Sequence, residues 1–248
     1  MEGLTKEWQK LWSEVGGKGK GMVPLADLVS RWSEPWRAYH TLDHLQEMLA
    51  ELGHCPHRFA AQEGYCVHFD QTAIQMAIWY HDAVYSTQAK DNEERSADLF
   101  RVMAGRYRLG VDFTDRVVFL IEATKHARVL DDLNARALCD IDLAILGKSE
   151  FDFDEYERQI RDEYNWVPEA QFREKRAEIL QSFLKRKNIY STQFFQKKYE
   201  ERARKNLARS IERLKPPASV PDPGEDDGGG LFSKSSTSTG TGGLFSRD

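Results

Sequence analysis

The 248-residue chain is poor in cysteine and contains no long apolar run. Its three cysteines, Cys55, Cys66 and Cys139, lack short paired spacing, which argues against a disulfide framework and against a zinc site made of cysteines alone. No stretch approaches the roughly 20 apolar residues that span a bilayer, and the N-terminus lacks the basic-then-apolar order of a signal peptide. We therefore expect a soluble, cytoplasmic protein without a membrane partner.

A strong charge imbalance is also absent. The net charge is −5, and residues 216–248 contribute −3 of it because they hold five acidic and two basic residues. The rest of the chain is therefore nearly neutral. This balance argues against a surface that holds a nucleic acid polymer by its phosphates.

The composition changes at Pro216. From there to the end the chain is rich in Pro, Gly, Ser and Thr and has few residues that could build a core. We predict a globular domain over residues 1–215 and a disordered tail over residues 216–248. The tail contains Gly-Gly-Leu-Phe-Ser twice, starting at Gly229 and Gly242. These repeats are either docking motifs for another protein or low-complexity drift, and the oligomeric state is not indicated.

Two-residue alternation of apolar and polar residues, which is typical of strands, is not convincing anywhere in the sequence. Apolar residues recur instead at three- and four-residue spacing, which predicts about eight to ten helices in a globular all-α fold. The spacing places His40 and His44 on one face at the start of a helix, and His81 at the C-terminal end of another. Asp91, followed three residues later by Glu94, predicts a capping box.

His81 and Asp82 lie within an otherwise apolar run, residues 77–85. A buried polar group costs free energy unless it is hydrogen-bonded or coordinated, so this pair needs a partner. Further nitrogen and oxygen donors lie at two other places in the chain: His40, His44, Asp140 and Asp142. Donors from three places could close around one divalent ion. The alternative is a core histidine bonded to the neighbouring acid.

The ordered set His44, His81, Asp82 and a later aspartate resembles the metal-binding signature of the HD superfamily of metal-dependent phosphohydrolases, an all-helical family. The Tyr39-His40-x-x-x-His44 segment is also similar to cyclic nucleotide phosphodiesterases, in which the first histidine donates a proton and the second binds the metal. Over about residues 5–214 the chain resembles a bacterial-type group of predicted HD phosphohydrolases without a settled substrate. The matching segments are Arg37–His40, Trp79–Asp82, Asp91–Ala97, Ala123–His126 and Asp140–Gly147.

The resemblance implies a divalent metal ion held by His44, His81, Asp82 and one later aspartate. Asp142 is preferred as the fourth ligand, because Asp142 followed by leucine matches the family pattern. Asp140 lies on a different helix face and is expected to bond backbone groups or residues that contact the metal ligands. Imidazole plus carboxylate suits Mn, Fe, Co, Ni, Zn or, with more oxygen donors, Mg, so the identity of the ion stays open.

Other residues are candidates for catalysis and for substrate contact. The catalytic candidates are His40, Glu93 and His126, with Glu94 as an alternative to Glu93, and the phosphate-binding candidates are Arg37 and Lys125. The two histidines are alternative proton donors, and His126 is also a candidate second-metal ligand or phosphate contact. One of the glutamates would orient the attacking water or a second ion. Helix-dipole compensation is an alternative explanation for an acid in a first turn or a histidine at a helix end.

The expected function is hydrolysis of a phosphoester or phosphoanhydride in a small molecule by a metal-activated water. A nucleotide is the favoured substrate, by analogy with the family and not from any phosphate-binding loop or base-binding pattern. Two alternatives stay open. One is a non-catalytic nucleotide or metal sensor that signals to a partner through the tail. The other is a purely structural metal site, closed by protein ligands alone.

Overall fold

Ten α-helices, one short 3-10 helix and one two-stranded hairpin make up the part of the chain that the structure describes. The structure is a computed structural model and describes residues 1–55, 58–60, 66–126 and 131–215. The helices are α1 (Glu2–Glu14), α2 (Met22–Trp32), α3 (Leu42–His54), α4 (Gln71–Tyr80), α5 (Asn92–Tyr107), α6 (Val111–Ala123), α7 (Leu133–Asp142), the 3-10 helix (Leu143–Gly147), α8 (Glu150–Glu163), α9 (Glu169–Leu184) and α10 (Gln193–Leu214). The predicted all-α class is confirmed.

The hairpin was not anticipated from the sequence. Strand β1 (Arg58–Ala60) pairs antiparallel with strand β2 (Cys66–His68). Each strand has three residues, which is too short for an alternating pattern to stand out in the sequence.

The tail predicted for residues 216–248, with its two Gly-Gly-Leu-Phe-Ser repeats, lies outside the described residues. Among the residues that are described, none of the helices has the length and apolar character needed to cross a membrane.

Tryptophan side chains build the core next to the His-Asp pair. Trp8, Trp32 and Trp79 are fully buried. Trp8 meets Trp79 edge-to-face with ring centroids 5.1 Å apart, and the Trp32 indole N–H donates to the backbone carbonyl of Trp79 at 3.0 Å. Large aromatic rings bury much apolar area and stabilise the packing of the helices that carry them. The C-terminal end of α4, where His81 follows Tyr80, is therefore held firmly against α1 and α2.

The start of α3 differs from the prediction and changes the position of His40. Thr41 is the N-cap of α3, and its hydroxyl accepts a hydrogen bond from the backbone N–H of Asp43 at 3.3 Å. A threonine in this role ends the preceding loop and lets the helix start at Leu42. His40 therefore lies before the helix, and the prediction that it shares a helix face with His44 is wrong.

The predicted capping box at the start of α5 is also wrong. Asp91 is the N-cap residue, but its side chain makes no capping hydrogen bond. Glu94 forms an ion pair with Lys125, which follows α6. The attraction of the lysine therefore directs this carboxylate away from the first turn of its own helix.

Candidate metal centre

Three side chains from separate helices converge on one point. His44 lies in the first turn of α3, His81 follows the last residue of α4, and Asp142 is the last residue of α7. One ligand atom from each lies within 4.8 Å of the other two. Asp142 Oδ1 is 3.4 Å from His44 Nε2 and 3.8 Å from His81 Nε2. The cluster could therefore hold a metal ion.

The ring nitrogens that face this point are buried without hydrogen-bond partners among the described residues. This holds for Nε2 of His44 and for Nε2 of His81, whose residues are 3% and 1% exposed. A buried polar atom left unpaired costs about 1–3 kcal/mol, and a cation bound between the rings and Asp142 would remove that cost. Imidazole nitrogen and carboxylate oxygen are also suitable ligands for divalent metals. The residues present therefore fit a divalent ion.

Hydrogen bonding and burial prepare the two histidines for ligation. His81 Nδ1 lies 3.0 Å from the backbone carbonyl of Ile78. Because a carbonyl only accepts, Nδ1 carries the hydrogen, and Nε2 faces Asp142. Burial lowers the pKa of His44, which favours the neutral ring with a lone pair available for a metal.

Asp82, the remaining predicted ligand, lies beside these three residues. Its Oδ2 is 3.1 Å from His81 Nε2 and 3.9 Å from His40 Nε2. Burial alone would favour the neutral acid, but His81 and His40 hold the pKa of Asp82 well below its usual range. Against the effect of burial, Asp82 and Asp142 raise the pKa of His81 to about 9. The two carboxylates therefore stabilise positive charge at this place, whether a proton or a metal ion.

His126 binds the second oxygen of Asp142. Its Nε2 lies 2.8 Å from Asp142 Oδ2, and although burial opposes the charged ring, this contact raises the pKa of His126 to about 10. His126 also has a backbone φ of 55°, a left-handed conformation that is uncommon outside glycine. The backbone is thus held in a costly conformation where the side chain orients Asp142.

His40 is positioned by Glu163, the last residue of α8. Glu163 Oε2 lies 2.7 Å from His40 Nδ1, and Oε1 accepts the backbone N–H groups of Ala38, Tyr39 and His40, each at 2.9 Å. Burial would favour the neutral acid, but His40 and these donors lower the pKa of Glu163 to about 2. Glu163 therefore stays ionised and accepts the Nδ1 hydrogen, which leaves Nε2 of His40 directed toward Asp82.

Sequence reasoning missed Glu163. It lies in a helix with several other acidic residues, and nothing in its spacing distinguishes it from solvated neighbours. Its partners are 78 to 125 positions away in the chain, so only the fold brings them together.

Arg37, a predicted phosphate contact, is bonded to groups of the protein itself. Its side chain is completely buried, and its Nε donates to Glu34 at 2.9 Å. The guanidinium also donates to the backbone carbonyls of His40, Asp82 and Ala83. Because the protein itself takes up these donors, Arg37 joins the segment before α3 to the turn that carries the His-Asp pair.

Asp140 supports the fold and is not part of the converging group of His44, His81 and Asp142. Its Oδ1 and Oδ2 accept the backbone N–H groups of Ser191 and Thr192, both at 2.7 Å. Thr192 is the N-cap of α10, so Asp140 fixes the start of α10 against α7. Of the two aspartates considered from sequence, Asp142 is the one that the structure brings to His44 and His81.

Three further predicted residues lie on α5 and at the end of α6. Glu93 is buried in the first turn of α5, whereas Glu94 and Lys125 form a partly exposed ion pair. The lysine side chain is 33% exposed, so it is still accessible to a phosphate. The roles of these residues in catalysis and substrate contact stay predictions.

Comparisons with protein-family models, with curated proteins and with solved structures find no match to this chain.

Proposed function

We propose that residues 1–215 form a metal-dependent phosphohydrolase of the HD superfamily type, which hydrolyses a phosphoester or phosphoanhydride bond in a small molecule. One observation carries the proposal. Two buried Nε2 atoms without hydrogen bonds, from His44 and His81, face the same carboxylate oxygen of Asp142. Asp82 links this group to a histidine that is itself held by an ionised glutamate.

The chain supplies both the ligands and their orientation. His44, His81 and Asp142 would hold the ion, with Asp82 beside His81 as a fourth donor. A divalent ion bound there supplies an activated water at neutral pH and offsets charge on the phosphoryl oxygens. His126 fixes Asp142, because its hydrogen bond occupies Oδ2 and leaves Oδ1 to face the other two ligands.

His40 is the better placed of the two candidate proton donors. Its Nδ1 is bound to Glu163, and its Nε2 lies 3.9 Å from Asp82, so Nε2 can donate a proton to a leaving oxygen beside the ligands. Glu163 stabilises the charged imidazole and fixes the ring. The corresponding nitrogen of His126 is already bonded to Asp142. We therefore assign proton donation to His40 and orientation of a ligand to His126.

The experiment measures metal content and turnover on the same preparations. The purified full chain is analysed for bound metal, and phosphate release is measured from nucleoside phosphates, cyclic nucleotides and p-nitrophenyl phosphate with Mn, Co, Ni, Zn and Mg. The variants are His81→Ala and Asp82→Ala. His54→Ala is the matched control, because His54 is an exposed histidine at the other end of α3.

We expect both site variants to lose metal and activity, and the control to keep both. Full metal content and full activity in His81→Ala and Asp82→Ala would contradict the proposal. Metal and nucleotide binding without turnover would indicate a sensor, and an ion that cannot be exchanged or reached by substrate would indicate a structural site.

A further inference from the structure

A groove of about 570 Å³ lies at the opposite end of α3 from His44. The described residues that line it come from the end of α3 and the start of α10, and they are His54, Phe194, Lys197 and Lys198. Apolar atoms make up nearly all of the lining, which for the lysines means their aliphatic stems. None of these lining residues is acidic. The groove therefore suits an apolar group that is joined to negative charge.

The two lysines differ in how far the protein already satisfies their charge. Lys198 Nζ donates to Glu51 Oε2 at 2.7 Å. Lys197 is exposed and makes no ion pair with any residue that the structure describes. Glu201, one helical turn further on, pairs with Lys205 instead. An acidic group could therefore bind Lys197 without displacing an existing partner.

The tail contains a segment with the complementary character. Three acidic residues, Glu225, Asp226 and Asp227, come shortly before Leu231 and Phe232 of the first Gly-Gly-Leu-Phe-Ser repeat. The second repeat follows a stretch of Ser, Thr and Gly that contains no acid. Of the two repeats, only the first therefore combines negative charge with apolar side chains as the groove requires.

The spacing of side chains in the segment agrees with the spacing in the groove. Phe194 and Lys197 are three positions apart on α10, so their side chains are neighbours, about 5–6 Å apart at Cβ. Asp227 and Leu231 are joined by three glycines, which adopt many backbone conformations and let the two residues lie up to about 14 Å apart. One placement of the segment can therefore bring a carboxylate to the ammonium group and an apolar side chain to the phenyl ring.

The tail is also long enough to return to the groove. Leu214 is the last residue of α10 and lies about 30 Å along the helix from Phe194. Residues 215–231 can extend to about 55 Å, and a flexible chain of this length spans about 20–25 Å on average. Such a tether gives an effective concentration in the millimolar range. Docking within one chain is therefore favoured over binding between chains.

We propose that residues 225–232 dock in this groove of their own chain, with their acids at Lys197 and their Leu-Phe pair against Phe194. The second repeat, which has no acids before it, does not compete for the groove. The docking is independent of the proposed hydrolysis, because the groove begins at His54, about 15 Å along α3 from His44.

Two measurements on the full chain test the docking. Chymotrypsin cleavage after Phe232 and after Phe245 is followed by mass spectrometry, since both residues lie in the same Gly-Gly-Leu-Phe-Ser context. A carbodiimide, which joins an amine to a carboxylate in direct contact, is applied to an equal mixture of ¹⁴N- and ¹⁵N-labelled chains. The labels show whether a cross-link at Lys197 lies within one chain or between two.

We expect the wild type to be cleaved about tenfold more slowly after Phe232 than after Phe245. The reason is that a millimolar effective concentration and an affinity of about 0.1 mM would dock about nine chains in ten. The cross-link should join Lys197 to an acid of residues 225–227 within one chain.

Each measurement has its own variant and its own matched control. Lys197→Glu should bring cleavage after Phe232 to the undocked rate, whereas Lys205→Glu, at an exposed lysine further along α10, should leave it slow. Leu231→Ser should reduce the yield of the Lys197 cross-link, whereas Leu244→Ser, the same change in the second repeat, should leave the yield unaltered. Equal thermal midpoints would show that the variants keep the fold.

Equal cleavage after Phe232 and Phe245 in the wild type would overturn the proposal, and so would a difference that persists in Lys197→Glu. A Lys197 cross-link whose yield does not depend on Leu231 would have the same consequence. A cross-link that joins differently labelled chains would also overturn docking within the chain, and would make a second copy of the protein the occupant of the groove.

Discussion

Glu163 and His40 form a contact in which one carboxylate determines both the path of the chain and the orientation of a ring. Glu163 Oε2 lies 2.7 Å from His40 Nδ1, while Oε1 accepts three successive backbone N–H groups that end at His40 itself. The last residue of α8 therefore fixes the backbone of the loop before α3. Loss of this carboxylate would affect the geometry of the loop and the charge of the imidazole together.

Glu163→Gln separates these two effects, because the amide oxygen can still accept the backbone N–H groups but carries no charge. We expect kcat to fall about 100-fold, at the lower end of general-acid contributions, with metal content unchanged. Glu155→Gln, a partly exposed glutamate on the same helix, is the control. A kcat equal to that of the wild type would leave Glu163 only a structural role.

Replacement of His40 is expected to lower kcat, whereas replacement of His126 is expected to lower metal affinity. His40→Ala should keep its metal and lose about 100- to 10,000-fold in kcat, because it removes the proton donor alone. His126→Ala should weaken metal affinity about 10- to 100-fold, because it releases Asp142 from the hydrogen bond that orients it. Metal titration alongside kcat distinguishes the two. Normal metal affinity in His126→Ala would argue against the orienting role.

The fold class and the three converging residues could be predicted from the sequence, because the signals that mark them are local. Candidate ligands such as His81 and Asp142 lie at helix ends, where apolar periodicity and polar residues meet, and both signals are local. Glu163 and Arg37 act through bonds to chain segments 45 or more positions away, and charge alone cannot show where those segments will lie. The prediction placed His40 inside α3 because it lies four residues before His44. Thr41 caps the helix instead, so the helix starts after His40.

Glu51 makes stability depend on pH away from the candidate metal centre. The residue is 4% exposed and accepts hydrogen bonds from Lys148, from Lys198 at 2.7 Å and from the Tyr199 hydroxyl at 2.5 Å. Burial alone would raise its pKa, but these donors lower the pKa of Glu51 from 4.5 to about 2. Its stabilisation is therefore complete above about pH 4.5 and is lost as the pH falls toward about 2.

Glu51→Gln should accordingly cost about 1–3 kcal/mol of unfolding free energy near pH 7, and roughly half of that or less near pH 3. Urea unfolding of the wild type and the variant at both pH values measures the difference. Glu7→Gln, an exposed glutamate on α1, should change little at either pH. A penalty that is the same at both pH values would show that the charge of Glu51 contributes nothing.

Truncation after Lys215 tests the predicted domain boundary. If residues 1–215 contain the whole catalytic domain, the shortened chain should bind metal and release phosphate at the wild-type rate. Removal of both Gly-Gly-Leu-Phe-Ser repeats should affect only the contacts that the tail itself makes. A large loss of kcat with an unchanged thermal midpoint would place part of the active site in the removed segment.

Arg37→Lys distinguishes the bonding seen in the structure from the substrate contact that was first expected. A lysine keeps the positive charge but has a single nitrogen, so it cannot bond Glu34 and the carbonyls of His40, Asp82 and Ala83 together. We expect a loss of about 2–4 kcal/mol of unfolding free energy and weaker metal binding, because the turn that carries Asp82 is no longer fixed. Lys125→Met, which removes a partly exposed cation, should raise KM with little effect on the thermal midpoint. A variant at position 37 with normal stability and metal affinity but raised KM would support the prediction that Arg37 contacts the substrate.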